Sequence, residues 1–449
     1  MRKNKYSGSS AVIGAQLVIL FILTVSLCVQ SRKAAAENTY AVMEESGESG
    51  LAGESGNAGE TGDGQKKKYI HWVEFNVPAD VMEKAFRQDL GTVQEEVHLN
   101  WVELLAYLGA KYGGDFERFR QADLDAVVEK LKSGETMEEI AKDMKYYAYY
   151  REAYGAVLDG MVGYFEQETA ADGDNTYNSQ SSSAESGKDG LENKSEEVQE
   201  KQQSGAADES SRKSNESGEE DGAGTDQENG SNKVWLRKYG LKVFSPIAKN
   251  FPYSDFDDFG ASRSYGFKRK HLGHDMMGQV GTPVIAVESG YVEALGWNQY
   301  GGWRIGIRSF DKKRYYYYAH LRQNYPYQSN LKEGSIVTAG DVIGYLGRTG
   351  YSTTENTNNI TTPHLHFGIQ LIFDESQKEG NNEIWINCYE IVKFLRLNQS
   401  ETVKVEGTKE WTRVYNMKDP GIPEKVEGTE NLEQSGQSES SAVEKKQKN

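Results

Sequence analysis

Between residues 171 and 230 this chain carries 16 Asp and Glu, 5 Lys and Arg, and neither Phe nor Trp. Such a stretch cannot bury enough apolar surface to offset the entropy of ordering its backbone. It predicts a disordered acidic linker, drawn at 167–233, that divides the 449 residues into separately folding parts. A Glu-, Gly- and Ser-rich spacer at 37–69 and a mostly disordered tail at 401–449 narrow the foldable chain to 70–166 and 234–400. The formal net charge of −17 sits largely in these spacers. It argues against nucleic acid as a partner and says little about any one surface.

The N-terminus reads as a targeting segment. Arg2, Lys3 and Lys5 precede an uncharged run from Ala11 to Val29. Basic residues followed by apolar ones predict translocation of what comes next. Residues 1–36 are then either a single membrane anchor or a signal peptide cut near Ala34-Ala35-Ala36. Both place the rest of the chain outside the cytoplasmic membrane. Of the two cysteines, Cys28 lies in that segment and Cys388 stands alone in the exported part, so no intrachain disulfide framework is available.

Residues 70–166 predict a small α-helical domain of about five helices. Trp101, Leu104, Leu105, Leu108 and Tyr112 fall at helical spacing behind Asn100 as N-cap, and Thr136 with Glu139 makes a capping box. Glu103 and Asp115 read as capping and turn residues rather than catalytic acids, and His71 and His98 as structural or solvated.

From residue 234 the pattern changes to short apolar runs between Gly-rich turns, such as GTPVIAVESGYV, KRYYYYAHL and HLHFGIQLI. Period-2 alternation with close turn signals predicts an antiparallel β domain. Five of the seven histidines fall between residues 271 and 366. HLGHD gives His271 and Asp275 at an even separation, and HLH gives His364 and His366 on one strand face, because side chains alternate. Two imidazoles on one strand face cost desolvation energy unless something binds them. A catalytic zinc site needs three N or O ligands and an open fourth position, with a proton-handling group nearby. His271, Asp275 and one histidine of HLH supply the ligands. The other HLH histidine and His320, at the end of a Tyr-rich strand, remain for acid–base work. Among the tyrosines, Tyr316 and Tyr318 share the parity of His320, which allows them to line the groove, with packing the simpler reading. Trp297 and Trp303 flank a turn and are candidates for stacking on a substrate. Cys388 reads as a small buried residue.

HLGHD, GTPVIAVESGYV, YAHL, Thr349-Gly350 with Ser352, and PHLHF, in that order, resemble the LytM/lysostaphin-type zinc endopeptidases that cut peptidoglycan peptides. The resemblance covers roughly residues 265–375. It implies an antiparallel β-sheet fold with an open groove, Zn²⁺ ligands at His271, Asp275 and His366, and a catalytic pair at His320 and His364. It assigns no role to His274. It implies a peptidoglycan peptide as substrate, and it leaves room for a cell-envelope protein partner at the helical domain. The alternative is a non-catalytic cell-wall scaffold on the same fold. The polar run TTENTNNIT, residues 353–361, departs from the family pattern and is expected to hang beside the groove.

Overall fold

A computed structural model describes residues 69–170, 233–265 and 267–423. The expected anchor or signal at 1–36, nearly all of the first spacer, most of the acidic linker and the end of the tail lie outside the described residues. Among the described residues, no helix is long and apolar enough to cross a membrane. The chain divides into two units, Met1–Glu168 with Leu236–Asn449, and Thr169–Trp235. The site lies wholly in the first.

Among the described residues five α-helices come first: α1 (Ala79–Thr92), α2 (Trp101–Tyr112), α3 (Gln121–Lys132), α4 (Met137–Ala141) and α5 (Tyr147–Leu158). Local chemistry sets their ends. The Asn100 side chain accepts from the Val102 and Glu103 amides, and Gly113 closes α2 in the left-handed region at φ 64°. Thr136 and Glu139 form the expected capping box on α4. The apolar stripe of α2, with Leu104, Leu105 and Leu108 fully buried, packs against α5.

The strands are β1 (Val162–Ala170), β2 (Lys233–Leu241), β3 (Ser262–Tyr265), β4 (Phe267–Lys270), β5 (His274–Met277), β6 (Pro283–Ile285), β7 (Gly290–Asn298), β8 (Gly302–Ser309), β9 (Arg314–Ala319), β10 (Ile336–Val337), β11 (Val342–Tyr345), β12 (His364–Leu371) and β13 (Ile384–Ile386). A helix, α6 (Tyr389–Leu395), precedes β14 (Thr402–Lys404), β15 (Trp411–Arg413) and β16 (Met417–Lys418). The main sheet runs β10-β7-β8-β9-β12-β13 and is antiparallel throughout. The far edge of β12 is shared: its first residues pair with β5 and its last with β13. This is the antiparallel β fold expected from the period-2 pattern.

The helices and the main sheet share one apolar core, in which Leu104, Leu105 and Tyr154 join Ile305, Tyr316, Phe367 and Phe394. Helix α6 is the common wall. Phe394 stacks on Trp101 at 5.5 Å between ring centroids and meets Phe86 edge-on at 5.9 Å. The α1 N-terminus is met by a carboxylate, since the Ala79 amide donates to Glu390 Oε2 at 2.8 Å.

Residues 401–423, part of the stretch 401–449 expected to be mostly disordered tail, are described and packed on the domain, and the rest of that stretch lies outside the described residues. A few residues hold 401–423 in place. Trp411 meets Phe251 edge-on at 5.1 Å, Arg413 donates to Asp341 Oδ1 at 3.0 Å, and Met417 of β16 pairs with Gln167 of β1. Averaging the composition over 401–449 hides these anchors within polar surroundings.

Under the sheet lies a buried ion pair. Arg314, 1% exposed, donates to both oxygens of Glu288 at 2.8 Å and reaches the Ala156 carbonyl at the end of α5 at 2.9 Å. The Tyr316 hydroxyl donates to the same carboxylate at 2.7 Å. Breaking such a buried pair costs up to about 3–5 kcal/mol, and here Asp311 Oδ2, 3.0 Å from Arg314 Nη2, would keep part of the compensation when Glu288 is removed. Glu288→Ala is therefore expected to lower the unfolding free energy by up to that amount, read as a lower denaturant midpoint, and an unchanged midpoint would show that the pair contributes nothing.

Candidate metal centre and cleft

Three strands converge on one end of the sheet. In β12 the alternation places His364 and His366 on one face, with Leu365 and Phe367 in the core on the other. Pairing with β5 sets Asp275 directly opposite His366, and pairing with β9 sets Ala319 opposite it on the other side. His271 precedes β5, and His320 follows β9.

The donor atoms meet closely. His271 Nε2 lies 3.1 Å from Asp275 Oδ1 and 3.0 Å from His366 Nδ1, and His366 Nδ1 lies 2.9 Å from the same Oδ1. Gly273 makes this approach possible, because a Cβ there would stand 2.6 Å from His366 Cε1 and Nε2. A tetrahedral zinc with bonds of about 2.0–2.1 Å spaces its donors about 3.3 Å apart. Two imidazole nitrogens and a carboxylate oxygen at nearly that spacing fit the ion. The outer contacts fit it too. The Asp258 carboxylate stands 3.0 Å from His271 Nδ1, as carboxylates commonly stand behind metal-binding histidines. Arg263 donates to Asp275 Oδ2 at 3.2 Å, leaving Oδ1 to the triangle.

The charges follow from these contacts. Burial alone would raise the Asp275 pKa, but hydrogen bonds from His271 and His366 hold it well below the usual carboxylate range. For His271, burial opposes protonation, and the Asp275 and Asp258 carboxylates outweigh it and raise the pKa. His366 is lowered chiefly by burial.

His320 and His364 face each other across the cavity mouth, ring centroids 4.8 Å apart. His320 Nδ1 lies 2.9 Å from the Thr349 carbonyl, which can only accept, so Nδ1 carries the proton and Nε2 keeps its lone pair. Burial, then the neighbouring His364 and His366, push the His320 pKa well below 6.5. His364 Nδ1 is fixed in the same way on the Thr362 carbonyl at 2.8 Å. His320 adopts φ 62°, the left-handed region that non-glycine residues rarely occupy.

Tyr316 and Tyr318 take the packing role, and that torsion is why their shared parity with His320 does not bring them to the cavity. The chain turns at His320, so the ring that lines the cavity is Tyr317, while Tyr316 and Tyr318 are wholly buried in the core. The tryptophans do not line the cavity either. Trp303 Nε1 donates to Asn356 Oδ1 at 2.9 Å and so ties down the 353–361 run. That run does not simply hang beside the groove, for Asn356 also accepts from the Asn324 amide and Asn358 donates to Gln323. His274 points into the protein, 3.0 Å from Asp255 Oδ2, which in turn takes a forked pair of bonds from Arg396. Cys388 is buried, with its thiol pushed up to about 12. His98 contacts Asp89 and Tyr239 far along the chain, a structural cluster that no spacing announced.

The cavity, about 180 Å³, is walled by His271, Asp275, His320, His364 and His366 together with Arg263, Arg269, Tyr300, Gly301, Tyr317, Ala319 and Tyr351. Of these, Arg263, Arg269 and Tyr351 escaped the sequence reading, because no pattern of spacing links them to the histidines.

Residues 269–380 match the family model for peptidase family M23, and the resemblance to LytM/lysostaphin-type endopeptidases is borne out. The chain is 39% identical over 124 residues to the L-Ala–D-Glu endopeptidase of Bacillus subtilis (strain 168), covering 28% of this chain and 36% of that protein. It is 41% identical over 98 residues to lysostaphin of Staphylococcus simulans, covering 22% of this chain and 17% of the relative. The chain thus spans about a third or less of the length of these relatives. The solved catalytic domain of the antimicrobial peptidase lysostaphin from Staphylococcus simulans matches 31% of this chain and 92% of its own, at 32% identity and a TM-score of 0.25.

The lowered histidines predict an acid limit to stability. His274, His320 and His366 have folded pKa values below 6.5, against one raised at His271. Below about pH 6.5 the unfolded chain takes up protons that these three folded sites refuse, so stability falls with pH. Chelator-treated protein should show a falling unfolding midpoint from pH 7 to 5, and a flat profile would contradict this assignment of the buried imidazoles.

Proposed function

We propose that this protein is a zinc-dependent endopeptidase that hydrolyses stem peptides or cross-links of bacterial peptidoglycan, outside the cytoplasmic membrane. The observation that carries the reading is the triangle of buried His271 with half-buried Asp275 and His366, with two further imidazoles, His320 and His364, lining the same cavity. The match to peptidase family M23 and the endopeptidase names of the relatives support it.

In this reading His271, Asp275 and His366 hold the ion, which supplies a positive charge that polarises a peptide carbonyl and acidifies water. The chain's own residues handle the protons. His320 is neutral, with Nδ1–H anchored on Thr349, so Nε2 accepts the proton that water loses as its oxygen bonds to the carbonyl carbon. His364 Nε2, 3.7 Å from Asp275 Oδ1, stands on the other side of the mouth. It stabilises the carbonyl oxygen in its charged state when protonated. The proton held at His320 passes to the amine nitrogen as the C–N bond breaks. Tyr317 and Tyr351 wall the slot for an extended peptide.

Because the helices share a core with the sheet, the full exported chain is the right material for a test. Offered purified sacculi and casein separately with zinc, it should release peptide amines from sacculi alone. His366→Ala and Asp275→Ala should lose stoichiometric zinc, whereas His320→Ala should keep zinc and lose about 10²–10⁴-fold in turnover. Binding of sacculi without any release would favour a cell-wall scaffold, and equal zinc in all three variants would refute the ligand assignment.

A further inference from the structure

The cleft has a second chemistry beside the histidines. Strands β3 and β4 form a hairpin in which Arg263 and Arg269 are direct cross-strand partners, so both project from one face. That face lines the cavity. Residues 262–270 contain Arg263, Lys268, Arg269 and Lys270 and no acidic residue, in a chain of net charge −17. Like charges directly opposite each other are destabilising unless an anion answers them. Arg263 has its anions, since it bonds Asp258 and Asp275. Arg269 has none at ion-pair distance among the described residues. Its guanidinium stands over the Tyr351 ring at 5.0 Å and bonds the Tyr351 hydroxyl, and its Nε is buried without a partner. Asp275 is the sole carboxylate in the cavity wall, and it is committed to His271, His366 and Arg263.

We infer that Arg269, held against Tyr351, reads a free carboxylate on the substrate, so that this cleft takes an acidic peptide rather than an uncharged run of small residues. The inference rests on the endopeptidase reading and names its substrate class. A planar guanidinium matches a carboxylate better than any other group a peptide offers. Tyr351 fixes where that carboxylate sits, because its ring also lies 5.6 Å from the His320 ring. An extended chain advances about 3.3–3.6 Å per residue, which puts the acidic residue within about three positions of the bond that is cut. Arg263 is a positioning residue here: it ties the hairpin to Asp258 and Asp275 and holds Arg269 over the cleft.

The test uses the full exported chain and two fluorescent stem peptides that differ only at the D-Glu α-carboxylate, free in one and amidated in the other. Affinity by anisotropy and hydrolysis in the presence of zinc are measured in parallel. The free-carboxylate peptide is expected to bind and turn over about 10- to 100-fold better, the range of one charge-assisted hydrogen bond. Arg269→Gln should reduce that ratio to near one, mainly through KM, and Arg269→Lys should recover part of it. Equal affinity for the two peptides, including none for either, overturns the inference whatever the variants do. Full discrimination by Arg269→Gln also overturns it. Selective binding of the free-carboxylate peptide without hydrolysis supports the carboxylate reading and refutes the endopeptidase one.

Discussion

The site depends on the register of β12. That strand carries two imidazoles on one face and is paired on both edges, with β5 bringing Asp275 opposite His366 and β9 bringing Ala319 opposite it on the other side. A slip of one residue would turn His364 and His366 into the core and bring Leu365 and Phe367 out. The core forbids this, because both apolar residues are fully buried. The packing of one face therefore fixes the chemistry of the other, and the donor triangle follows from hydrophobic burial rather than from the donors' own affinities.

What surrounds β12 settles how much charge the site can hold. Three titratable groups within about 3 Å of one another would be costly in a dry interior without a compensating ion or counter-charges. Asp258, Arg263 and the Thr349 and Thr362 carbonyls each take one polar atom of the cluster and fix its direction. The left-handed torsion at His320 belongs to the same arrangement. It ends β9 at the point where the imidazole can turn toward His364, and the carbonyl of Thr349 holds it there.

The sequence made much of this legible, and the reasons divide cleanly. HLGHD and HLH could be read because strand alternation is a fixed geometry, and those pairs sit inside or beside regular strands. The five helices were legible from their 3.6-residue period and caps. His320 lines the cavity, whereas Tyr316 and Tyr318, which share its parity, pack in the core, because parity holds only while the backbone stays extended. Arg263 and Arg269 were invisible for a different reason. Their hairpin lies next to the cleft through tertiary packing, and nothing in SRSYGFKRK says which face meets the histidines. Within 401–423, Trp411, Arg413 and Met417 make the packing contacts, and they are few among many polar residues.

The 353–361 run shows why composition alone misjudges a loop. TTENTNNIT reads as solvated, and most of its side chains are polar. Its amides nevertheless bond one another and their neighbours: Asn356 with Trp303 and Asn324, Asn358 with Gln323, and Asn359 with the Tyr351 carbonyl. Satisfied networks of this kind specify a conformation as firmly as apolar packing does. The bond from Asn359 matters most, because it joins the run to Tyr351, whose ring lies between Arg269 and His320. The 353–361 run is thus tied, through a hydrogen bond to a backbone carbonyl, to a residue whose ring lines the cavity.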